Sequence, residues 1–234
     1  KKMKAFVVEK VGEKEFVSNI QDIATPKCEE NEVVIKVTYS SLNYKDALSS
    51  IGNPGVSRNF PHVTGIDVAG TVFESTSPIF KVGERVLVTG YDMGMNSNGG
   101  HAQFVKIPAN WVARIPDSIS DKEIMTFGTA GLTAALSVSE LIENGIKPES
   151  GDILVTGATG GVGSIAIAIL SKLGYNITAI SGKKDRIDFL KNIGANEVIF
   201  REDFEKQSNK PLLSEKYAGV IDTVGGTILA NALK

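Results

Sequence analysis

Along the first half of the chain, apolar residues fall in short runs or in strict alternation with polar ones, the pattern of strands whose two faces meet different surroundings. Such segments cover residues 5–8, 32–37, 67–73, 85–89 and 102–107. Pro61, Gly65, Gly83 and Gly99 supply turns between them, so this half reads as a compact, mostly antiparallel unit. After Ile124 the period lengthens. Leu132, Ala135, Leu136, Val138, Leu141 and Ile142 recur at gaps near three and four and predict a long helix that stops at Gly145. Beyond it the two periods alternate: a strand at 153–156, a helix from Gly161, a strand at 176–181, a helix from Asp185, then strands at 197–200 and 219–223. Buried-type strands separated by helices predict a parallel sheet with right-handed crossovers. The expected fold class is therefore α/β, with an incomplete Rossmann-type doubly wound parallel sheet at 125–234 preceded by a β-rich domain at 1–124.

The sharpest local signal is Ile153-Leu154-Val155-Thr156-Gly157-Ala158-Thr159-Gly160-Gly161-Val162-Gly163, which joins an apolar strand directly to a helix, as a dinucleotide-binding turn does. Aligned to G-x-G-x-x-G, Ala158 takes the tight-turn position, Gly160 the close phosphate approach and Gly163 the helix-to-strand contact. Backbone N–H groups from Thr159 to Val162 are the expected phosphate cradle. Cofactor choice is read at the end of the second strand, where an acidic residue would hold the ribose hydroxyls of NAD. Here stand Ser181, Gly182, Lys183 and Lys184, a hydroxyl and two cations that suit the 2′-phosphate of NADPH. Asp185 is the competing ribose ligand, but its place just before Ile187, Leu190 and Ile193 favours a helix cap. Arg201, just after the third strand, is a further candidate for the adenosine phosphate.

Composition narrows the field. With 25 basic and 27 acidic residues in 234, the net charge is −2 and offers no field for a nucleic-acid backbone. The single cysteine, Cys28, can form neither an internal disulfide nor a cysteine-rich zinc site and fits a reducing, cytoplasmic setting. No uninterrupted apolar run approaches the roughly 18 residues of a membrane span, so no membrane partner is expected. The turn also fits short-chain dehydrogenases, but none of Tyr39, Tyr44, Tyr91, Tyr175 or Tyr217 has a lysine four residues later, as their catalysis requires.

A β-rich first domain, a linking helix and a mid-chain Ala-x-x-Gly-Gly-Val-Gly turn resemble the medium-chain dehydrogenase/reductase superfamily. Ser40-Ser41-Leu42-Asn43-Tyr44-Lys45-Asp46-Ala47-Leu48, Gly65-Ile66-Asp67-Val68-Ala69-Gly70-Thr71-Val72, Gly128-Thr129-Ala130-Gly131-Leu132-Thr133-Ala134-Ala135 and Ile221-Asp222-Thr223-Val224-Gly225-Gly226 are similar to the YhdH/YhfP quinone oxidoreductase family, which includes acryloyl-CoA reductases. The resemblance implies that the first domain is GroES-like. It also implies a metal-free enzyme, because zinc alcohol dehydrogenases of this superfamily have a cysteine where Asn43 stands and a histidine where Ile66 stands. The count agrees: one cysteine and two histidines, His62 and His101, cannot supply the usual three or four ligands without several carboxylates, and each histidine is expected to be structural or solvated. The implied activity is hydride transfer from NADPH to the activated C=C bond of acryloyl-CoA or a similar enone, or to a quinone. Asn43 and Tyr44 would be the donors around the carbonyl and nicotinamide, Asp46 would hold their loop, and Thr129 would hydrogen-bond near the nicotinamide. The alternative is a non-catalytic, redox-responsive NADPH-binding interaction protein. A six-stranded dinucleotide-binding sheet would continue past Lys234, so the chain is expected to be C-terminally truncated, poorly active alone, and a homodimer when full length.

Overall fold

The computed structural model describes residues 1–206 and 215–234. The chain divides into two compact units, Lys1–Thr129 and Ala130–Lys234.

The first unit contains β1 (Lys2–Lys10), β2 (Phe16–Ala24), β3 (Glu32–Tyr39), α1 (Tyr44–Ser50), β4 (His62–Val63), β5 (Asp67–Ser75), β6 (Arg85–Thr89), β7 (Phe104–Pro108) and β8 (Ala113–Arg114). They form two antiparallel sheets, ordered β2-β1-β4 and β7-β3-β5-β6-β8. Val33, Ile35, Val68, Val88, Met93 and Ile107 close the core of the larger sheet. The hydrophobic pattern does not mark β2, because that strand is mostly exposed, Ile20 to 71%. Its strand character comes from pairing with β1 along its whole length. The two-residue strands β4 and β8 are too short to show a period.

α2 (Asp121–Glu143) follows and is broken at Gly128, whose φ of 50° and ψ of −150° are not helical. Among the described residues α2 is the one helix long and apolar enough, by length and composition, to cross a membrane. Its apolar residues are interleaved with Thr126, Gly128, Thr129, Thr133 and Ser137, so no continuous apolar run announces it. The second unit then alternates β9 (Asp152–Val155), α3 (Gly161–Lys172), β10 (Ile177–Ser181), α4 (Ile187–Asn192), β11 (Glu197–Phe200), α5 (Arg201–Glu205), β12 (Tyr217–Ile221) and α6 (Gly226–Ala232). Its four strands are all parallel, in the order β11-β10-β9-β12, as the alternating periods predict. Ile153, Val155, Ile177 and Ala179 pack with Ala166, Ile167 and Leu170 of α3 to form the core. Because the strands are parallel, their carboxyl ends share one edge, and the order reverses between β9 and β12, where α/β sheets leave a ligand crevice. Asp185 does not cap α4. It lies in a 3-10 turn, Lys184–Arg186, the cap position falls on Arg186 without a side-chain bond, and the Asp185 carboxylate instead faces Arg186 Nε at 3.5 Å.

Candidate functional site

β9 lies between two neighbours and its end is buried, so the chain must leave it by a sharp turn. Gly157 makes that turn with φ +57°, and a Cβ there would strike the Thr223 hydroxyl. The tight-turn role therefore belongs to Gly157 and not to Ala158, which is fully buried and gives its N–H to the Ile180 carbonyl at 3.2 Å. A Cβ on Gly163 would come within 2.5 Å of the Gly157 carbonyl, so only glycine lets the helix sit this close to the strand. Gly160 is the extended N-cap of the 12-residue helix α3 and offers no side-chain cap. The N–H groups of Gly161, Val162 and Gly163 thus have no intrahelical acceptor and stand at the positive end of the helix dipole, while half-buried Thr159 flanks them. Such an end suits a pyrophosphate.

The walls of this turn are tied down. Thr156 donates to Asp222 at 2.5 Å and accepts the Thr223 N–H at 3.0 Å, while the other Asp222 oxygen accepts the Gly225 N–H at 2.8 Å. This pins the ends of β9 and β12 beside each other. At the end of β10, Ser181 is buried and its hydroxyl accepts the Lys183 N–H at 3.0 Å. Ser181 pairs with Phe200 of β11, and that register sets Gly182 against Arg201, whose guanidinium lies 3.2 Å from where a Gly182 Cβ would be. The Lys184 ammonium stands 5.6 Å from the centre of the Phe200 ring. Lys183, Lys184 and Arg201 are exposed, and none has a carboxylate within salt-bridge distance among the described residues. Three cations therefore gather on the edge that carries the glycine turn.

In the first unit two buried carboxylates organise the Asn43 loop. Asp46, in the first turn of α1, accepts the Asn43 N–H at 2.7 Å through one oxygen and the Gly65 and Ile66 N–H groups at 3.2 and 3.0 Å through the other. With both oxygens so used, its role is to position the loop. Asp67 is fully buried. It accepts Ser41 Oγ at 2.6 Å, Asn43 Nδ2 at 2.8 Å, the Thr129 N–H at 2.9 Å and Thr129 Oγ1 at 2.6 Å. Gly128 makes the last pair possible: a Cβ there would lie 2.6 Å from Asp67 Oδ2 and 2.7 Å from Ser41 Oγ, and its φ is left-handed. Asn43 and Thr129 thus meet on one carboxylate, while Tyr44 opens α1 with 79% of its surface exposed. The sequence pattern alone assigns Asp67 no role. Its isolated position in an apolar strand was the available signal, since a buried carboxylate needs donors.

Ile66, 2% exposed, is a core residue. His62 is buried, with Nε2 on the Ser49 hydroxyl at 2.7 Å, and burial pushes its pKa below the usual histidine value. The Asn59 backbone opposes this shift, but Nδ1 makes no hydrogen bond of ordinary geometry, so burial dominates. His101 is only partly buried and lines a cavity with Asn43. Among the described residues no group of three or more His, Cys, Asp or Glu side chains is placed to hold a metal ion.

Comparison with known proteins bears on these features. The family model described as alcohol dehydrogenase GroES-like domain matches residues 29–117, and that described as zinc-binding dehydrogenase matches residues 161–234. YhfP of Bacillus subtilis, which carries a quinone oxidoreductase name, is 44% identical over 215 residues, covering 92% of this chain and 65% of its own. Its crystal structure with NAD bound superposes with a TM-score of 0.93. The acrylyl-CoA reductase AcuI of Ruegeria pomeroyi is 42% identical over 202 residues, 86% of this chain and 61% of that protein. The yhdH oxidoreductase of Salmonella enterica in complex with NADP is 41% identical with a TM-score of 0.92, covering 99% of this chain and 70% of that one. The chain thus spans about two thirds of the length of these relatives. Sequence identity and fold agree along nearly the whole chain, which therefore belongs to the YhdH/YhfP quinone oxidoreductase family of medium-chain dehydrogenases/reductases.

Proposed function

We propose that this chain carries the working parts of a zinc-independent oxidoreductase that uses NADPH to reduce the activated C=C bond of acryloyl-CoA or a similar enone, or a quinone. The observation that carries the reading is the uncapped N-terminus of α3 at the carboxyl edge of the parallel sheet, with Lys183, Lys184 and Arg201 gathered on that edge. The N–H groups of Gly161, Val162 and Gly163 would hold the pyrophosphate. Ser181, Gly182, Lys183, Lys184 and Arg201 would hold the 2′-phosphate, which a lone ribose hydroxyl would not need. A bound reduced nicotinamide would supply the hydride. Asn43 and Tyr44 are the proposed donors to the acceptor, kept in place by Asp46 and Asp67, with Thr129 fixed by Asp67 on the nicotinamide side. An acryloyl thioester or enone would gain the hydride at its β-carbon and a proton at its α-carbon, whereas a quinone would take up the hydride and a proton to become its hydroquinone. The test is NADPH consumption by the full-length protein with acryloyl-CoA, crotonyl-CoA and simple quinones. Turnover of one of these supports the reading, and cofactor binding without turnover of any would overturn it.

A further inference from the structure

Within the first unit a cavity of about 450 Å³ lies beside Asn43. Phe6, Leu42 and Ala47 make its walls mostly apolar. Of its polar groups, Asp46 and Thr64 are spent, and Asn43 has one of its two amide hydrogens committed. Asp46 is 4% exposed and takes three backbone N–H groups; Thr64 is 1% exposed; the Asn43 amide donates to Asp67.

His101 differs. Its backbone is pinned on both sides, the N–H to the Thr64 carbonyl at 3.0 Å and the carbonyl to the Phe6 N–H at 2.8 Å, so the ring is held at a fixed place on the wall. Nδ1 lies 2.8 Å from Thr64 Oγ1 and Nε2 lies 3.4 Å from the Ser41 carbonyl oxygen. A carbonyl can only accept, so the ring proton sits on Nε2 and Thr64 donates to Nδ1. The Nδ1 bond is a good one and orients the imidazole. The Nε2 contact is beyond the usual 2.7 to 3.2 Å range and leaves that N–H poorly satisfied. An oriented donor with a weak partner, set in an apolar wall beside Asn43, is built to take a stronger acceptor.

We propose that His101 is a specificity-determining residue of this cavity, donating its Nε2–H to the carbonyl oxygen of a short α,β-unsaturated acyl group whose carbon chain lies against Phe6, Leu42 and Ala47. The inference rests on the alkene-reduction reading and narrows it. A hydrogen bond to that oxygen draws electron density from the β-carbon, and it strengthens as negative charge develops on the oxygen during hydride addition. The imidazole therefore favours acyl thioesters and enones over acceptors with no carbonyl oxygen at that place.

In an imidazole ¹⁵N spectrum of the full-length protein the His101 resonance is assigned by its loss in His101→Gln, and His62, which is buried and does not line the cavity, is assigned by its loss in His62→Gln and serves as the internal reference. The probe is the crotonyl thioester of N-acetylcysteamine, added without NADPH. The expected result is a saturable shift of the His101 Nε2 resonance with His62 unmoved. In steady-state kinetics with NADPH, His101→Leu should lower kcat/KM for the thioester by roughly 10- to 100-fold, and His101→Gln, which keeps an N–H near the Nε2 position, should recover most of the loss. A thioester that moves His101 but is not reduced would support the cavity and remove the alkene-reduction reading. A thioester that is reduced while His101 stays unmoved, or a His101→Leu variant with unchanged kcat/KM, would overturn the role of His101.

Discussion

Asp67 offers the most direct perturbation of the organised loop, since four hydrogen bonds converge on one buried side chain. In Asp67→Ala the Ser41 and Thr129 hydroxyls can rotate toward other acceptors, but Asn43 Nδ2 and the Thr129 N–H lose theirs outright. Each buried donor left unmade costs about 1–3 kcal/mol, partly offset because the charge itself no longer has to be buried. A net loss of about 3 kcal/mol corresponds to a fall in Tm of roughly 6–12 °C for a protein of this size. Asp67→Asn should be far milder. Its remaining oxygen can face the three donors that Oδ2 serves, and its NH₂ can donate to the Thr129 hydroxyl, which then accepts, so charge assistance on three bonds is the chief loss, about 1 kcal/mol in all after the relief of desolvation. The assay is thermal unfolding followed by circular dichroism, paired with hydrogen exchange at the Thr129 amide. Protection at Thr129 should vanish in the alanine variant and persist in the asparagine variant. If Asp67→Ala melts within about 2 °C of the wild type and keeps Thr129 protected, the convergence on Asp67 is not what holds this loop.

Gly128→Ala places a Cβ against Asp67 and Ser41 at a left-handed φ, and should cost at least about 2 kcal/mol, read as a lower denaturation midpoint with unchanged slope. Gly163→Val should abolish cofactor binding while the first unit stays folded, which fluorescence titration and tryptophan emission from Trp111 would report together. His62 gives a pH dependence of known sign. Its folded-state pKa is depressed by burial, so the unfolded chain binds the extra proton first. Its contribution to stability is complete above about pH 6.5 and falls as the pH drops below that value toward the folded-state pKa. The slope of Tm against pH between neutrality and mild acid should therefore be shallower in His62→Gln, and an unchanged slope would remove histidine burial as its cause.

What the sequence revealed depended on how local the cause was. The parallel sheet of the second unit was legible because each strand is a short apolar run and each helix a 3.6-residue period, and both are local properties of the chain. The basic edge was legible in part: Lys183 and Lys184 were visible as a missing carboxylate, but only the pairing of Ser181 with Phe200 brings Arg201 beside Gly182. The tight turn fell one residue earlier than the glycine pattern suggests, because Gly157 and not Ala158 has the left-handed backbone. β2 escaped notice because an exposed edge strand is made by its neighbour's hydrogen bonds and not by burial. Asp67 escaped because its partners, Ser41, Asn43 and Thr129, are distributed along 89 positions of chain from 41 to 129, and no spacing rule connects them. For the same reason His101 could be counted as a histidine but not placed on a cavity wall.

In the proposed function the glycine turn and the cations on its edge hold a dinucleotide that bears a 2′-phosphate. Equilibrium titration of the full-length protein with NADPH and with NADH, for the wild type and for a Lys183→Ala, Lys184→Ala, Arg201→Ala variant, tests it most directly. The wild type should bind NADPH more tightly than NADH, and the variant should lose at least ~10-fold more affinity for NADPH than for NADH, since charge-assisted contacts to a phosphate are removed. Equal losses for the two coenzymes, or a wild type that binds neither, would contradict it.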